Sequence, residues 1–149
     1  MPQNKTISVW LRTKDGKVAL QERSSFGGQS HPDVCQATWA GKVEEAENLE
    51  SAIKRECAQE LGKEFAENFD FSSLKFFSEN KFKMKDDDWT CYNYIGEVNE
   101  NLLSKAKLHN EAKPNFVFAD KDNFEEIDLF EDQKKVLKEI INETRTDRK

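Results

Sequence analysis

Four residues within six positions could do chemistry together: Arg55, Glu56, Gln59 and Glu60, inside the stretch GKVEEAENLESAIKRECAQELG from Gly41 to Gly62. On a helix, Glu56 and Glu60 fall one turn apart on a common face, with Gln59 beside both. Carboxylates at this density repel unless a positive group sits between them. A divalent cation carrying a phosphorylated ligand would supply that charge. The same pair could also be an ordinary charged helix face, so the flanking residues have to decide.

Those flanks predict how the helix is held. Asn48 is placed to cap it, and Gly62 to end it. Leu49, Ile53, Cys57 and Leu61 recur every four residues, with Ala52 beside them, and make an apolar stripe for a core.

Upstream, Ile7, Val9 and Leu11 alternate with Ser8, Trp10 and Arg12 as a strand. Lys14-Asp15-Gly16-Lys17 is a hairpin turn signal, and Val18 to Glu22 a second strand. Ser24 to Asp33 reads as a polar loop, and Val34 to Ala40 as one buried strand. Lys42 to Asn48 is an acidic loop.

Downstream, Phe65, Phe69 and Phe71 are expected in a loop leading to a strand at Leu74 to Asn80. A turn at Lys85 to Asp88 precedes a long aromatic-rich strand, Trp89 to Val98. Asn99 to Pro114 has no decided pattern, and Phe116 to Ala119 is a short strand. Asp128 with Glu131 resembles a capping box that opens a C-terminal helix. Its apolar face is Leu129, Phe130, Val136, Leu137, Ile140 and Ile141, and its end, Thr144 to Lys149, is expected to fray.

Bulk properties set limits. At 149 residues, without a repeat or a low-complexity linker, the chain is expected to be one domain, 1–149. It is 36% hydrophobic and 35% charged, and its eleven Phe and three Trp supply buried area. A net charge of -6 argues against a broad nucleic-acid surface. Cys35, Cys57 and Cys91 form no CxxC pair and no zinc pattern with the two histidines. With no signal-peptide pattern at MPQNKTISVW and no long apolar run, the expectation is a cytoplasmic protein without membrane contact.

The whole stretch resembles the signature of the Nudix hydrolases: Gly, five residues, Glu, seven residues, Arg-Glu, a hydrophobic residue, any residue, Glu-Glu, any residue, Gly, and a final hydrophobic residue. Gly41, Glu47, Arg55-Glu56, Cys57, Ala58, Gln59-Glu60, Leu61 and Gly62 keep that spacing unbroken. Two positions depart: Gln59 replaces the first glutamate of the pair, and Lys63 the final hydrophobic residue. The resemblance implies an α+β fold, an α/β/α sandwich with a mixed central sheet between helices. It implies a metal-dependent hydrolase that cleaves a diphosphate linkage in a nucleoside-diphosphate-type substrate by attack of a metal-activated water. The cofactor would be Mg2+, with Mn2+ as an alternative, and the chain a monomer or homodimer.

The resemblance also implies roles. Glu56, Gln59 and Glu60 would ligate metal, with a backbone carbonyl near Ala40 and Gly41. Glu47 and Arg55 would form an orienting ion pair. A further glutamate from outside the signature would act as ligand or general base; Glu111 leads, ahead of Glu97 and Glu100. Glutamine keeps an oxygen ligand but not the charge, so Gln59 should weaken the metal site. Arg23, Trp39 and Trp89 are the candidate substrate contacts; Tyr92 and Phe26 are further aromatics that could stack on a base, and for each ring core or edge packing is the leading reading. His31 reads as a loop residue.

Gln21 to Ser24, His31-Pro32 and the Trp39 segment resemble the branch that includes isopentenyl-diphosphate isomerases. Those need a cysteine before the opening glycine and a histidine after it, where this chain has Ala40 and Lys42. Isomerase activity is therefore disfavoured. The rival from another class is a Nudix-fold binding module that holds a nucleotide or a partner without turnover.

Overall fold

The computed structural model describes residues 4–25, 32–109 and 112–147. Seven strands, β1 (Lys5–Arg12), β2 (Val18–Glu22), β3 (Cys35–Gln36), β4 (Trp39–Lys42), β5 (Lys75–Met84), β6 (Asp87–Glu97) and β7 (Val117–Ala119), form one mixed sheet. Among the described residues four α-helices accompany it: α1 (Leu49–Leu61), α2 (Lys63–Asn68), α3 (Glu100–Leu103) and α4 (Glu131–Asp147). The strand order is β3-β2-β1-β6-β5, with β4 pairing β1 and β7 pairing β2. β1 runs parallel to β6 and antiparallel to its other neighbours. The fold is an α+β sandwich, as the resemblance implied.

β1 is central, which explains why its two faces are both apolar or buried. Ile7, Val9 and Leu11 face a core closed by Ile53, Cys57, Leu61 and Phe65. Trp10 faces a second core with Val136, Leu137 and Ile140 of α4. Ser8, on the same face as Trp10, is 2% exposed. α1 and α4 thus cover opposite faces of the sheet.

β1 also forks. Its first half pairs with β4 (Thr6 to Val9 against Lys42 to Trp39), and its last two residues pair with β2. Thr38 fills the fork. Its hydroxyl donates to Ala19 O at 2.5 Å and accepts from Leu11 N at 2.9 Å. The expected single strand Val34 to Ala40 is therefore two short strands, because Thr38 supplies side-chain hydrogen bonds where the ladder is interrupted.

Other boundaries moved for local reasons. The segment with Phe65, expected as loop, forms α2, Phe69 follows it in extended conformation, and Phe71 lies in a 3-10 turn. The aromatic rings stack there: Phe65 on Phe69 at 5.6 Å, and Phe69 against Trp39 at 5.7 Å. Tertiary packing sets that helix, not a periodic pattern. The β5–β6 turn is narrower than expected: Lys85 and Asp86 take φ of 51° and 69°, and Asp87 and Asp88 are already strand. Glu100 to Leu103 is a short helix within the undecided segment, capped by Asn99 Oδ1 on Leu102 N at 2.7 Å.

The proposed cap of the last helix is wrong in register. α4 begins at Glu131, with Lys134 N donating to Phe130 O. Asp128 is not the cap; its carbonyl accepts from Cys35 N at 2.7 Å, and Leu129 bridges Cys35. The helix backbone continues to Asp147, through residues expected to fray. Among the described residues, no helix is long and apolar enough to cross a membrane.

Candidate active site

α1 carries the site, and its own sequence fixes it. Asn48 Oδ1 accepts from Ser51 N at 2.8 Å, satisfying an orphan donor of the first turn. Ala52, Ile53, Cys57 and Leu61 are buried, with Leu49 half-buried, as the stripe requires. Gly62 follows at φ 92°, a conformation that strains a residue with a side chain. The carbonyls of Glu60 and Leu61 are taken by His109 N at 3.1 Å and Lys107 N at 2.8 Å. The segment after α3 is thereby tied to the end of the carboxylate helix.

Arg55 organises the acidic loop. Its Nε and Nη2 donate to Glu47 Oε2 and Oε1 at 2.8 and 2.9 Å, a bidentate pair. Nη2 also reaches Lys42 O at 2.9 Å, and Nη1 reaches Glu56 Oε1 at 2.7 Å. Glu47 Oε1 accepts from Glu44 N at 3.0 Å. Hydrogen bonds from Arg55 hold the Glu47 carboxyl down at about 2. The expected ion pair is present, and Arg55 additionally restrains Glu56.

Glu56 is 9% exposed and packs under Gly41. A Cβ at residue 41 would collide with the Glu56 carboxylate, so only glycine lets the strand pass so close. Glu60 is half-buried. Its Oε1 accepts from Gln21 Nε2 at 2.8 Å and from Ala40 N at 3.3 Å. The same Gln21 amide donates to Thr38 O at 2.7 Å. Burial raises both carboxyls, Glu60 to about 8, and the nearby Glu56 charge pushes Glu60 up further.

Arg55 balances one oxygen of Glu56, and the remaining hard-oxygen donors suit a Mg2+-type ion. The residues present fit one: Glu56, Glu60, the exposed Gln59 amide, and the Ala40–Gly41 backbone. Among the described residues, no cluster of three or more acids, histidines or cysteines could hold a metal alone.

The carboxylates open into one cavity of about 980 Å³ between α1, the β5–β6 hairpin and the start of α4. Gly41, Glu56, Gln59, Glu60 and Arg23 all line it. Arg23 lies 6.0 Å from the centre of the Phe130 ring, also on the wall. Lys42 lines it too, with its ammonium 5.3 Å from the Trp89 ring centre.

The aromatic expectations fare unevenly. Trp39 is fully buried, donates Nε1 to Ile53 O at 3.0 Å, and packs edge-on against Phe65, Phe69 and Phe71. It is core and cannot touch a ligand in the cavity, which corrects the expected substrate contact. Trp89 stacks behind Phe82 at 6.4 Å and supports Lys42; the wall is formed by those two instead. Tyr92 is half-buried and packs against the first core. Glu111, Phe26 and His31 lie outside the described residues. The neighbours of Glu111 are placed: His109 lines the cavity, and Ala112 bridges Arg23. Glu97 and Glu100 do not line it.

Sequence reasoning missed Gln21 and Thr38. Both read as ordinary polar positions, and nothing in their spacing shows that the fork in β1 brings them under Glu60.

A carboxylate helix strapped by an arginine-clamped glycine loop to a mixed sheet defines the class: an α+β sandwich of Nudix type. The chain belongs to the Nudix family, since the NUDIX domain profile matches residues 2–140. Solved structures share the fold. The MutT protein of Methanosarcina mazei aligns with a TM-score of 0.71 at 15% identity, covering 96% of each chain. A C. elegans Ap4A hydrolase binary complex aligns at 0.60 and 16%, covering 83% of this chain and 85% of that one. The C-terminal domain of mouse MUTYH, in complex with human PCNA, aligns at 0.64 and 13%, covering 97% and 91%. At these identities the likeness is one of fold. No curated protein sequence matches the chain.

Proposed function

We propose that this protein hydrolyses a diphosphate linkage in a nucleoside-diphosphate-type substrate, using Mg2+ or Mn2+. The observation that carries the reading is that Glu56 and Glu60 line one cavity together, Glu56 packed under Gly41 and Glu60 held by Gln21 and Ala40 N. Such a pair is costly unless a cation or a proton balances it. A divalent ion bound there would neutralise phosphate oxygens and lower the pKa of a water.

The chain's own groups do the rest. Gln21 and Ala40 N fix one oxygen of Glu60, so the other is the one available to an ion. Arg55 fixes one oxygen of Glu56 in the same way. Arg23 and Lys42 bring positive charge to the walls, where a diphosphate would lie. Water attacks phosphorus, the bond to the bridging oxygen breaks, and a glutamate takes the water proton. Glu111 is proposed for that base, two residues after cavity-lining His109.

Isomerase chemistry is not proposed. Ala40 and Lys42 occupy the two required positions, and Cys35 sits buried on β3 with its thiol pushed up to about 11 by burial.

The test is release of phosphate or nucleoside monophosphate from a panel of nucleoside diphosphate derivatives with Mg2+. Turnover that disappears in Glu56→Gln supports the reading; turnover that survives that change removes it. Gln59 favours a second reading, a fold that binds without turnover. The MUTYH domain, similar in fold, is found in a protein complex. Under that reading no member of the panel is cleaved, and Gln59→Glu strengthens metal binding and brings turnover.

A further inference from the structure

A polar row crosses the buried face of the sheet and ends in the cavity. Trp10 Nε1 donates to Asn93 Oδ1 at 3.3 Å. Asn93, 1% exposed, donates Nδ2 to Asn80 Oδ1 at 2.8 Å. Asn80 donates Nδ2 to Asp132 Oδ2 at 3.3 Å, and Asp132 lines the cavity.

The direction of every bond in this row follows from its first member. An indole N–H can only donate, so Asn93 must turn its oxygen to Trp10 and its NH2 to Asn80. Asn80 must then turn its oxygen back and its NH2 to Asp132. A buried carboxamide at a strand position otherwise suited to an apolar side chain lowers stability unless its bonds are made. Here they are made in one sense only.

At the end of the row, Asn80 is the one donor on the Asp132 carboxylate among the described residues. Its second oxygen remains an acceptor. Next to it on the same wall, Gln133 has a buried amide oxygen without a partner among the described residues. Phe82, Met84 and Phe130 supply flat and apolar surface around them. The carboxylates Glu56 and Glu60 line the same cavity.

The geometry points to Asp132, positioned by Asn80 and Asn93, as the acceptor that selects the non-phosphate end of the ligand: a flat heteroaromatic base presenting an N–H donor such as an exocyclic amine. This rests on the proposed function for the phosphate end alone. The row would be a specificity device, with Asn80 and Asn93 as positioning residues. A base with only acceptors on that edge would desolvate the second oxygen of Asp132 and offer no donor to it or to Gln133, and would bind more weakly.

The test uses the full chain and calorimetric binding of nucleoside monophosphates, with no turnover required. Adenosine 5′-monophosphate is compared with purine riboside 5′-monophosphate, and cytidine 5′-monophosphate with its 2-pyrimidinone analogue; each second member lacks the amine. Wild type should favour the amine in at least one pair by about tenfold. In Asp132→Asn, Asn80 holds the new amide by its oxygen and turns its NH2 to the cavity, so the preference should vanish or reverse. In Asn80→Leu the amine-bearing member should weaken while its counterpart binds as in wild type. A purely structural role for the row would instead weaken both members equally. Equal affinities in wild type, a preference unchanged in Asp132→Asn, or no binding of any of the four would overturn the proposal. Glu56→Gln should lose hydrolysis yet keep the preference, so failure of the hydrolase reading shows up separately.

Discussion

Gln21 Nε2 lies 2.8 Å from Glu60 Oε1, joining a strand before the signature to the helix that carries it. Because the same nitrogen donates to Thr38 O at 2.7 Å, the glutamine is held on its strand side as well. It fixes which Glu60 oxygen is engaged on a side chain that lines the cavity. The residues that hold a ligand's carboxylate matter nearly as much as the ligand itself.

Replacing Gln21 by Leu should therefore weaken Mn2+ binding by about tenfold and lower kcat, with the fold retained. Calorimetric titration of Mn2+ against wild type and variant checks this. Unchanged affinity would show that Gln21 only packs the fork.

The Glu60 carboxyl gives the metal-free protein a characteristic pH dependence. Burial first, then the nearby Glu56 charge, raises it from an ordinary value near 4.5 to about 8 in the folded state. The folded chain thus binds a proton that the unfolded chain has released between those values, and stability falls as pH rises through that window. Thermal melts in chelator from pH 5 to 8 should show a declining midpoint. Glu60→Gln should flatten the decline, and Mg2+ should reverse it near pH 8, where a cation replaces the proton.

The loop clamp behaves with the opposite sign. Arg55 lowers the Glu47 carboxyl from about 4.5 to about 2. The stability this contributes is complete above the unfolded value and is lost as pH falls from about 4.5 toward about 2. Glu47→Gln should remove that acid-side loss. Arg55→Lys should cost activity as well, because a lysine cannot reproduce the bidentate pair and reach Glu56 together. Melts from pH 2 to 5, together with kcat of Arg55→Lys, measure the two effects.

Trp39 separates packing from recognition. It is fully buried among Phe65, Phe69 and Phe71 and bonds Ile53 O. Trp39→Ala should destabilise by about 3–5 kcal/mol. Trp39→Phe should cost about 1–3 kcal/mol, because Ile53 O loses its donor, while KM stays at the wild-type value. Denaturant unfolding and steady-state kinetics on Trp39→Phe decide it; a large rise in KM with little loss of stability would return the residue to the ligand.

Much of the site was legible as one-dimensional spacing, for a physical reason. The residues that matter most lie on one helix and one loop, where i, i+4 periodicity and cap chemistry are local. Asn48, the stripe from Leu49 to Leu61, Gly62, and the facing of Glu56 and Glu60 all follow from neighbours within a few positions. The Glu47–Arg55 pair was legible only through the resemblance to the family signature.

The sequence by itself therefore determined the carboxylate helix, its caps, its apolar face and the α+β class. It could not show that β1 forks around Thr38, that Gln21 reaches Glu60 across 39 residues, or that Asn80 reaches Asp132 across 52. It suggested Trp39 as a ligand contact and Asp128 as a helix cap, and tertiary structure put both to other uses. Those outcomes depend on which strand lies beside which and where a hydrogen-bond ladder is interrupted. Side-chain partners across a sheet are set by register and layer packing, and neither leaves a periodic mark on the chain.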